Sequence, residues 1–356
     1  MAATDSKCDV EMERGNVDVA IVGAGFAGLG MGIQLALRGR ESFVILERGL
    51  DVGGTWRDNR YPGVACDVPS HLYSFSFRPK ANWSQLFASG AEIQAYLREC
   101  ASEEQLQPHI RLGAEVRQAR WDAVHGYWRI TTEAGEYRAR TPLVAAGRLS
   151  EPRNLKLEGL CDFPGRVFHS SRWDDDVVFT GRRVGIVGTG ASAAQIIPRL
   201  AGVADQLVIF QRSASYVVPR DDRSYTEDER LLFEHDPEVA RHLRYRLFWE
   251  AEQNIAQRKG VRPDIDLLRE RALGHLAVQV SDPELRARLT PAYEIGCKRV
   301  LLSDDFYPAL VRDDVILESS AIDRIEGDTA IAASGALSAR CDCSRHRIPL
   351  HASTIR

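Results

Sequence analysis

No stretch of this sequence is basic enough to suggest a nucleic-acid or anionic membrane partner; across 356 residues the formal net charge is −4. Nor does it offer an apolar run suited to a signal peptide or an anchor. The most apolar early stretch, residues 17–37, contains Asp18 and five glycines, and the acidic leader before it lacks a basic flank and a cleavage pattern. A cytoplasmic location with no membrane segment is the expectation. The seven cysteines are scattered, and the one close pair, Cys341 and Cys343, has neither CxxC spacing nor companions for zinc. Free thiols and no metal site are expected. With 44% hydrophobic and 27% charged residues, the chain can bury a large core. It is long enough for about two or three domains, and small-molecule chemistry is the favoured reading.

Residues 17–22 form a short apolar run that ends in Gly23-Ala24-Gly25-Phe26-Ala27-Gly28, and residues 29–37 have helical character. This order predicts strand, tight turn and helix. The first glycine permits the turn, the second lets backbone reach a pyrophosphate, and the third lets helix and strand pack closely, with the helix N-terminus facing the phosphates. Residues 43–46 read as the next strand and deliver Glu47 at its end, where a carboxylate can accept hydrogen bonds from ribose hydroxyls. An ordinary glycine-rich turn is the alternative, and the strand and acid that follow argue against it.

The pattern recurs. Residues 183–187 run into Gly188-Thr189-Gly190-Ala191-Ser192-Ala193, with alanine in the third glycine position, then a helical stretch at 194–200 and a strand at 207–211 that ends in Arg212. The interval from Gly188 to Arg212 equals that from Gly23 to Glu47, so one structural slot carries opposite charges. An acid there suits free ribose hydroxyls, whereas arginine suits a 2′-phosphate through charge-assisted hydrogen bonds. A solvated strand-end charge is the other reading of Arg212. The first unit is expected to hold FAD at Gly23, Gly25, Gly28 and Glu47, and the second NADPH at Gly188, Gly190, Ser192 and Arg212. Two such units read as a flavoprotein with a separate hydride donor. Between them, 121–124 and 128–132 suggest a hairpin around His125-Gly126, and 143–146 a returning strand. The fold class is therefore α/β, with two Rossmann-like dinucleotide-binding domains.

Two further stretches narrow the reading. The first is GGTWRDNRYPGVACD, from Gly53 to Asp67, followed by Tyr73. Gly53 and Gly54 would let backbone pass close to a flat ring, with Trp56 and Tyr61 as rigid walls of a site that excludes water; a structural aromatic loop is the alternative, and for Asp67 a turn or capping carboxylate. The second is FPGRVFHSSRWD, from Phe163 to Asp174. In it Gly165 would allow an unusual backbone angle, and His169 falls on the segment joining the two nucleotide domains. A positioning role for His169 is preferred there over proton transfer.

These stretches resemble those of Baeyer-Villiger-type flavin-containing monooxygenases. The first matches the family at Gly54, Trp56, Tyr61, Pro62, Gly63 and Asp67, and the second matches its fingerprint at Phe163, Gly165, His169, Trp173 and Asp174. Relatives that oxygenate nitrogen or sulfur usually lack the final tryptophan and acid. A third match is LTPAYEIGCKRVLLSDDFYPAL, from Leu289 to Leu310, where the family carries a Lys-Arg pair, here Lys298 and Arg299. The resemblance implies Gly54, Thr55, Trp56, Asp67 and Tyr73 at the cofactor, Lys298 at the NADPH phosphate, and Arg299 beside the flavin. A solvated basic pair is the plainer alternative.

Residues 225–289 are charge-rich, with apolar residues such as Leu243, Leu247 and Ile255 at helical intervals. They are expected to form a helical insertion, either roofing the substrate site or serving as an interaction surface. Ser281-Asp282-Pro283-Glu284 suggests a helix start with a capping box and Thr290-Pro291 a stop. The expected organisation is an FAD domain over 1–150, an NADPH domain over 151–223 and 291–329, the insertion over 224–290, and an unassigned tail over 330–356. The family resemblance stops near Glu318, so the C-terminal part of the FAD domain is expected to be missing. Arg345-His346-Arg347-Ile348-Pro349 can be encoded so that the neighbouring frame reads Ala-Thr-Gly-Phe, a turn typical of the family, which suggests a frameshift shortly before it.

The activity implied by the resemblance is insertion of one oxygen atom from O2 into a ketone, giving an ester or lactone through a peroxyflavin at the expense of NADPH. A fixed guanidinium can stabilise the anions involved without losing a proton. Arg299 is the candidate for that role, with Asp67 holding it in place. An N- or S-oxygenating flavin monooxygenase, or an inactive nucleotide-binding remnant, are the competing readings.

Overall fold

The apolar run ahead of the first glycine loop forms β1 (Glu13–Val22), and the loop opens directly into α1 (Phe26–Ala36). The computed structural model describes residues 13–153, 155–335, 338–340 and 350–352. By contacts the chain divides into two units, 1–58 with 91–150, and 59–90 with 151–356.

In the first unit β1 is followed by β2 (Phe43–Leu46), α2 (Thr55–Asp58), α3 (Gly90–Glu103), β3 (Ile110–Arg111), β4 (Val116–Asp122), β5 (Tyr127–Thr132) and β6 (Gly135–Val144). The sheet order is β3-β2-β1-β6-β5-β4. Strands β3, β2, β1 and β6 run parallel, and β5 and β4 continue the sheet antiparallel. All four residues of β2 are buried, as expected of a parallel strand covered on both faces. The hairpin anticipated around Gly126 is present. The returning strand, β6, is longer than the 143–146 expected, because its residues 135–139 pair with β5 while 136–144 pair with β1 on the other edge. Ala20, Val44, Leu46, Ile130 and Tyr137 share one core cluster of this unit.

The second unit contains β7 (Val167–His169), β8 (Arg183–Val187), α4 (Ala191–Leu200), β9 (Gln206–Phe210) and β10 (Val217–Val218). Five helices follow, α5 (Glu227–His235), α6 (Pro237–Gln253), α7 (Ile255–Arg258), α8 (Asp264–Gln279) and α9 (Pro283–Leu289). The chain then forms β11 (Leu301–Leu302), α10 (Phe306–Leu310), β12 (Val315–Glu318), β13 (Ile322–Glu326), β14 (Thr329–Ala332), β15 (Ser338–Arg340) and β16 (Leu350–Ala352). A parallel sheet has the order β12-β9-β8-β16-β7, β10 pairs with β11, and β13-β14-β15 form an antiparallel sheet. Ile186, Ile196, Ile197, Leu207 and Phe306 lie in the main core between sheet and helices.

Several sequence expectations change. Residues 59–90, placed within a domain of 1–150, pack with the second unit; 59–67 lies against α4, where Tyr61 joins the core. The helix at 283–289 starts on Asp282, whose carboxylate accepts from the Glu284 and Leu285 amides, whereas the reciprocal capping box belongs to Thr226 and Glu229 at α5. Within the tail left unassigned, β14 and β15 complete a small sheet and β16 enters the parallel one. The suspected frameshift at 345–349 lies outside the described residues. Among the described residues no helix is long and apolar enough to cross a membrane, and no group of His, Cys, Asp and Glu is arranged to hold a metal.

Candidate cofactor and active site

The first glycine loop is shaped by contacts that only glycine permits. Gly23 has φ +106, and a Cβ on Gly28 would stand 1.8 Å from the Gly23 carbonyl oxygen, so the third glycine is required for helix and strand to pack. Gly25 begins α1 without a side-chain cap, and no acidic residue occupies the first turn. Gly190 begins α4 in the same way, and among the described residues nothing stands within 4 Å of where its Cβ would be. By contrast, Thr226, Asp236 and Asp282 cap α5, α6 and α9 with their side chains. Both glycine loops thus present helix N-termini open to an anion, and the residues fit two dinucleotide pyrophosphates.

Glu47 is 4% exposed and more heavily engaged than a free strand-end acid. Its carboxylate accepts from the Ala24 amide at 2.8 Å, the Gly49 amide at 2.7 Å and Arg57 Nη1 at 2.7 Å. The carboxylate therefore braces the loop that would face a ribose. Arg57 escaped the sequence reading. Burial lowers its pKa, but Glu47 and Asp58 outweigh this and hold it above the ordinary value. Gly54 backs onto the same loop, its Cβ position 3.0 Å from the Gly25 Cα, while Thr55 is exposed and Trp56 is 9% exposed at the start of α2.

In the second unit Gly188 has φ +95 and donates to the Phe210 carbonyl at 2.9 Å. Ser192 is buried. Arg212 is exposed and, among the described residues, makes no ion pair or hydrogen bond. Lys298 comes to the same place: its Nζ donates to the Ser213 hydroxyl at 2.7 Å and lies 4.5 Å from the Tyr293 ring centre. Two cations are thus presented at one loop, one of them uncommitted. That donor set suits a phosphate monoester.

Asp67 and Arg299 form an ion pair through Oδ2 and Nη2, with side chains 36% and 66% exposed. Their backbones are held from two sides. Ala65 bridges antiparallel to Ser89, and the Cys66 amide donates to the Ala88 carbonyl at 2.9 Å. Two residues beyond Arg299, β11 pairs with β10. Burial pushes the Cys66 thiol up to about 12, so it stays protonated beside the pair. Tyr73 is half-buried in the turn that follows, its amide donating to the Pro69 and Ser70 carbonyls.

Tyr61, expected as a wall of a ring-binding site, is instead 7% exposed within the core. Its hydroxyl bonds Gln195 Oε1 at 2.9 Å, and Gln195 Nε2 donates to the Ala65 carbonyl at 3.0 Å. Burial raises the Tyr61 pKa. The helix after the second glycine loop thus holds the segment leading to Asp67, a link carried by Gln195 that no motif signalled.

In the 163–174 stretch, Phe163 is buried with Val208, Phe210 and Ile325. Gly165 is buried, but its φ is not among the positive ones, so the expected unusual angle is absent and burial accounts for the small residue. The His169 ring nitrogen Nδ1 accepts from the Ser171 amide at 3.1 Å, and burial, then Arg172, lower its pKa. Trp173 packs edge-on to Phe168 at 5.1 Å, and Asp174 pairs with Arg166 across the stretch.

The chain matches the family described as pyridine nucleotide-disulphide oxidoreductase over residues 20–226. A Baeyer-Villiger monooxygenase of Streptomyces coelicolor is 44% identical over 321 residues, 90% of this chain and 62% of that protein. Another, from Pseudomonas aeruginosa, is 40% identical over 318 residues, 89% and 59% respectively. The chain spans about three-fifths of the length of these relatives. Among solved structures, an oxidized steroid monooxygenase bound to NADP aligns with TM-score 0.81 at 31% identity, covering 95% of this chain and 71% of that one. The open crystal structure of cyclohexanone monooxygenase aligns with TM-score 0.82 at 26% identity, covering 95% and 73%. The chain belongs to the pyridine nucleotide-disulphide oxidoreductase family and to the Baeyer-Villiger-type flavin monooxygenases.

Proposed function

We propose that this chain carries the FAD site, the NADPH site and the reacting arginine of a monooxygenase that inserts oxygen from O2 into a ketone, giving an ester or lactone. The observation that supports it most is the Asp67–Arg299 pair in the same unit as a second glycine loop flanked by Arg212 and Lys298. The similarity to Baeyer-Villiger monooxygenases points the same way.

FAD and NADPH supply hydride transfer and the activation of oxygen. This chain's own residues do the rest. The open N-termini of α1 and α4 receive the two pyrophosphates. Glu47 braces the first loop, while Arg212 and Lys298 hold the 2′-phosphate and so favour NADPH over NADH. Arg299 supplies a permanent positive charge that stabilises oxyanions on the substrate without donating its proton. Asp67 fixes the guanidinium, and Trp173 and Asp174 order the 163–174 stretch. The FAD domain, NADPH domain and helical insertion follow the boundaries set out above, except that 59–90 goes with the second unit. The cytoplasmic location belongs to the same proposal.

The test is spectroscopic, then chemical. The purified chain with added FAD is expected to show a bound flavin spectrum, to bleach with NADPH under anaerobic conditions, and to convert a cyclic ketone to its lactone in air. A protein that binds no flavin, or that oxygenates a sulfide and no ketone, overturns the reading.

A further inference from the structure

We propose that Arg220 is a positioning residue that sets the geometry of the Asp67–Arg299 pair. The inference rests on the reading of that pair as the reacting centre. Arg220 touches neither partner, yet it is tied to both of the chain segments that present them. On one side it follows β10, which is paired with β11: the Leu301 amide donates to the Tyr216 carbonyl at 2.9 Å and the Ser303 amide to the Val218 carbonyl at 3.1 Å. The Arg220 amide itself donates to Asp304 Oδ1 at 2.8 Å. The strand leading away from Arg299 is therefore in register with the segment carrying Arg220.

On the other side the Arg220 guanidinium reaches the residue before Asp67. Its Nη2 donates to the Cys66 carbonyl at 3.0 Å and more weakly to the Phe87 carbonyl at 3.4 Å. The guanidinium lies over the Phe87 ring at 5.1 Å and is paired with Asp222 at 3.4 Å, and its side chain is 14% exposed. Asp222 in turn accepts from the Phe87 amide at 3.2 Å. The Arg220 Nε is buried and finds no acceptor among the described residues. Burying a cation with one donor unmatched costs stability, so the site is not explained by its contribution to the fold. What it does here is hold the Cys66 carbonyl, and with it the peptide that begins Asp67. A planar fork can stack on a ring while bonding a carbonyl; an ammonium can make the bond but not the stack.

Two variants and two measurements test this. In Arg220→Met, amide exchange in residues 64–70 of the cofactor-free protein is expected to quicken about five- to tenfold, with 183–200 unchanged. With FAD and NADPH added, flavin reduction should stay within about twofold of the parent, while product formed per NADPH oxidised falls about fivefold or more. Arg220→Lys, which keeps the charge and one donor, should recover part of both losses. Exchange at 64–70 equal to the parent's overturns the proposal, as does loosening spread over the whole second unit or equal loss of reduction and oxygenation. Should Arg220→Met fail to fold, Arg220→Lys is read alone, and parent-like exchange and coupling overturn the proposal. A parent chain that binds no flavin overturns the function proposed above, and the cofactor-free exchange still decides the role of Arg220.

Discussion

Asp67 and Arg299 are 232 residues apart in the sequence and meet in an ion pair within one unit. Both side chains are well exposed, at 36% and 66%, and such a pair contributes no more than about 1 kcal/mol to stability. Its geometry is nonetheless specified on both sides by backbone pairing. A pair so weak energetically, yet so fully positioned, is better suited to chemistry than to holding the fold.

Arg299→Ala should therefore abolish ketone oxygenation with little effect on stability or flavin binding. Asp67→Asn should reduce it less, by about ten- to a hundredfold, because the guanidinium remains but is no longer fixed. Lactone formation measured by gas chromatography, alongside flavin content by absorbance, checks both. Ketone turnover by a well-folded Arg299→Ala would remove the arginine from the mechanism.

The two glycine loops should respond in opposite ways to alanine. A Cβ on Gly28 collides with the Gly23 carbonyl, whereas one on Gly190 meets nothing within 4 Å among the described residues. Gly28→Ala should cost about 3 kcal/mol or more, or prevent folding. Gly190→Ala should leave the thermal midpoint nearly unchanged while weakening NADPH binding, since the methyl group would stand in the open space at the start of α4. Thermal melts and a coenzyme titration distinguish the two effects.

Nucleotide choice should depend on Arg212 and Lys298. Replacing Arg212 by glutamine removes an exposed cation that has no partner among the described residues and should shrink the preference for NADPH over NADH by about ten- to a hundredfold, without unfolding the protein. Lys298→Met should lower NADPH affinity in the same direction. Initial rates with the two nucleotides provide the readout; an unchanged ratio would leave both residues as solvated charges.

A buried histidine makes stability pH-dependent. His71 is 3% exposed and packs edge-on to Tyr225 and Phe233. Burial, then Arg244, lower its pKa from 6.5 to about 4. Below pH 6.5 the unfolded chain takes up a proton that the folded one refuses, so this stabilisation is full above 6.5 and is lost as pH falls toward 4. The loss between pH 7 and 5 should be about 2 kcal/mol. Denaturant midpoints of the parent and of His71→Phe, compared at the two pH values, should show a shallower dependence in the variant.

The sequence by itself determined whatever rests on local sterics and helix ends. The spacing Gly23-x-Gly25-x-x-Gly28 demanded a tight turn and a close helix, and the structure has both. The matching slots of Glu47 and Arg212 were legible because equal intervals from equal loops reach equal positions, and helix starts and stops near Asp282 and Thr290 followed from capping chemistry. Only the tertiary structure decided the partners. It divided the single motif of 53–67 between two units, buried Tyr61 in a core instead of exposing it as a wall, and gave Glu47 to Arg57. It also brought Lys298 beside Arg212, and Arg299 to Asp67. Local rules fix where a chain turns; which distant side chains then meet depends on strand order and on how each segment crosses the sheet, and no interval within the sequence records that.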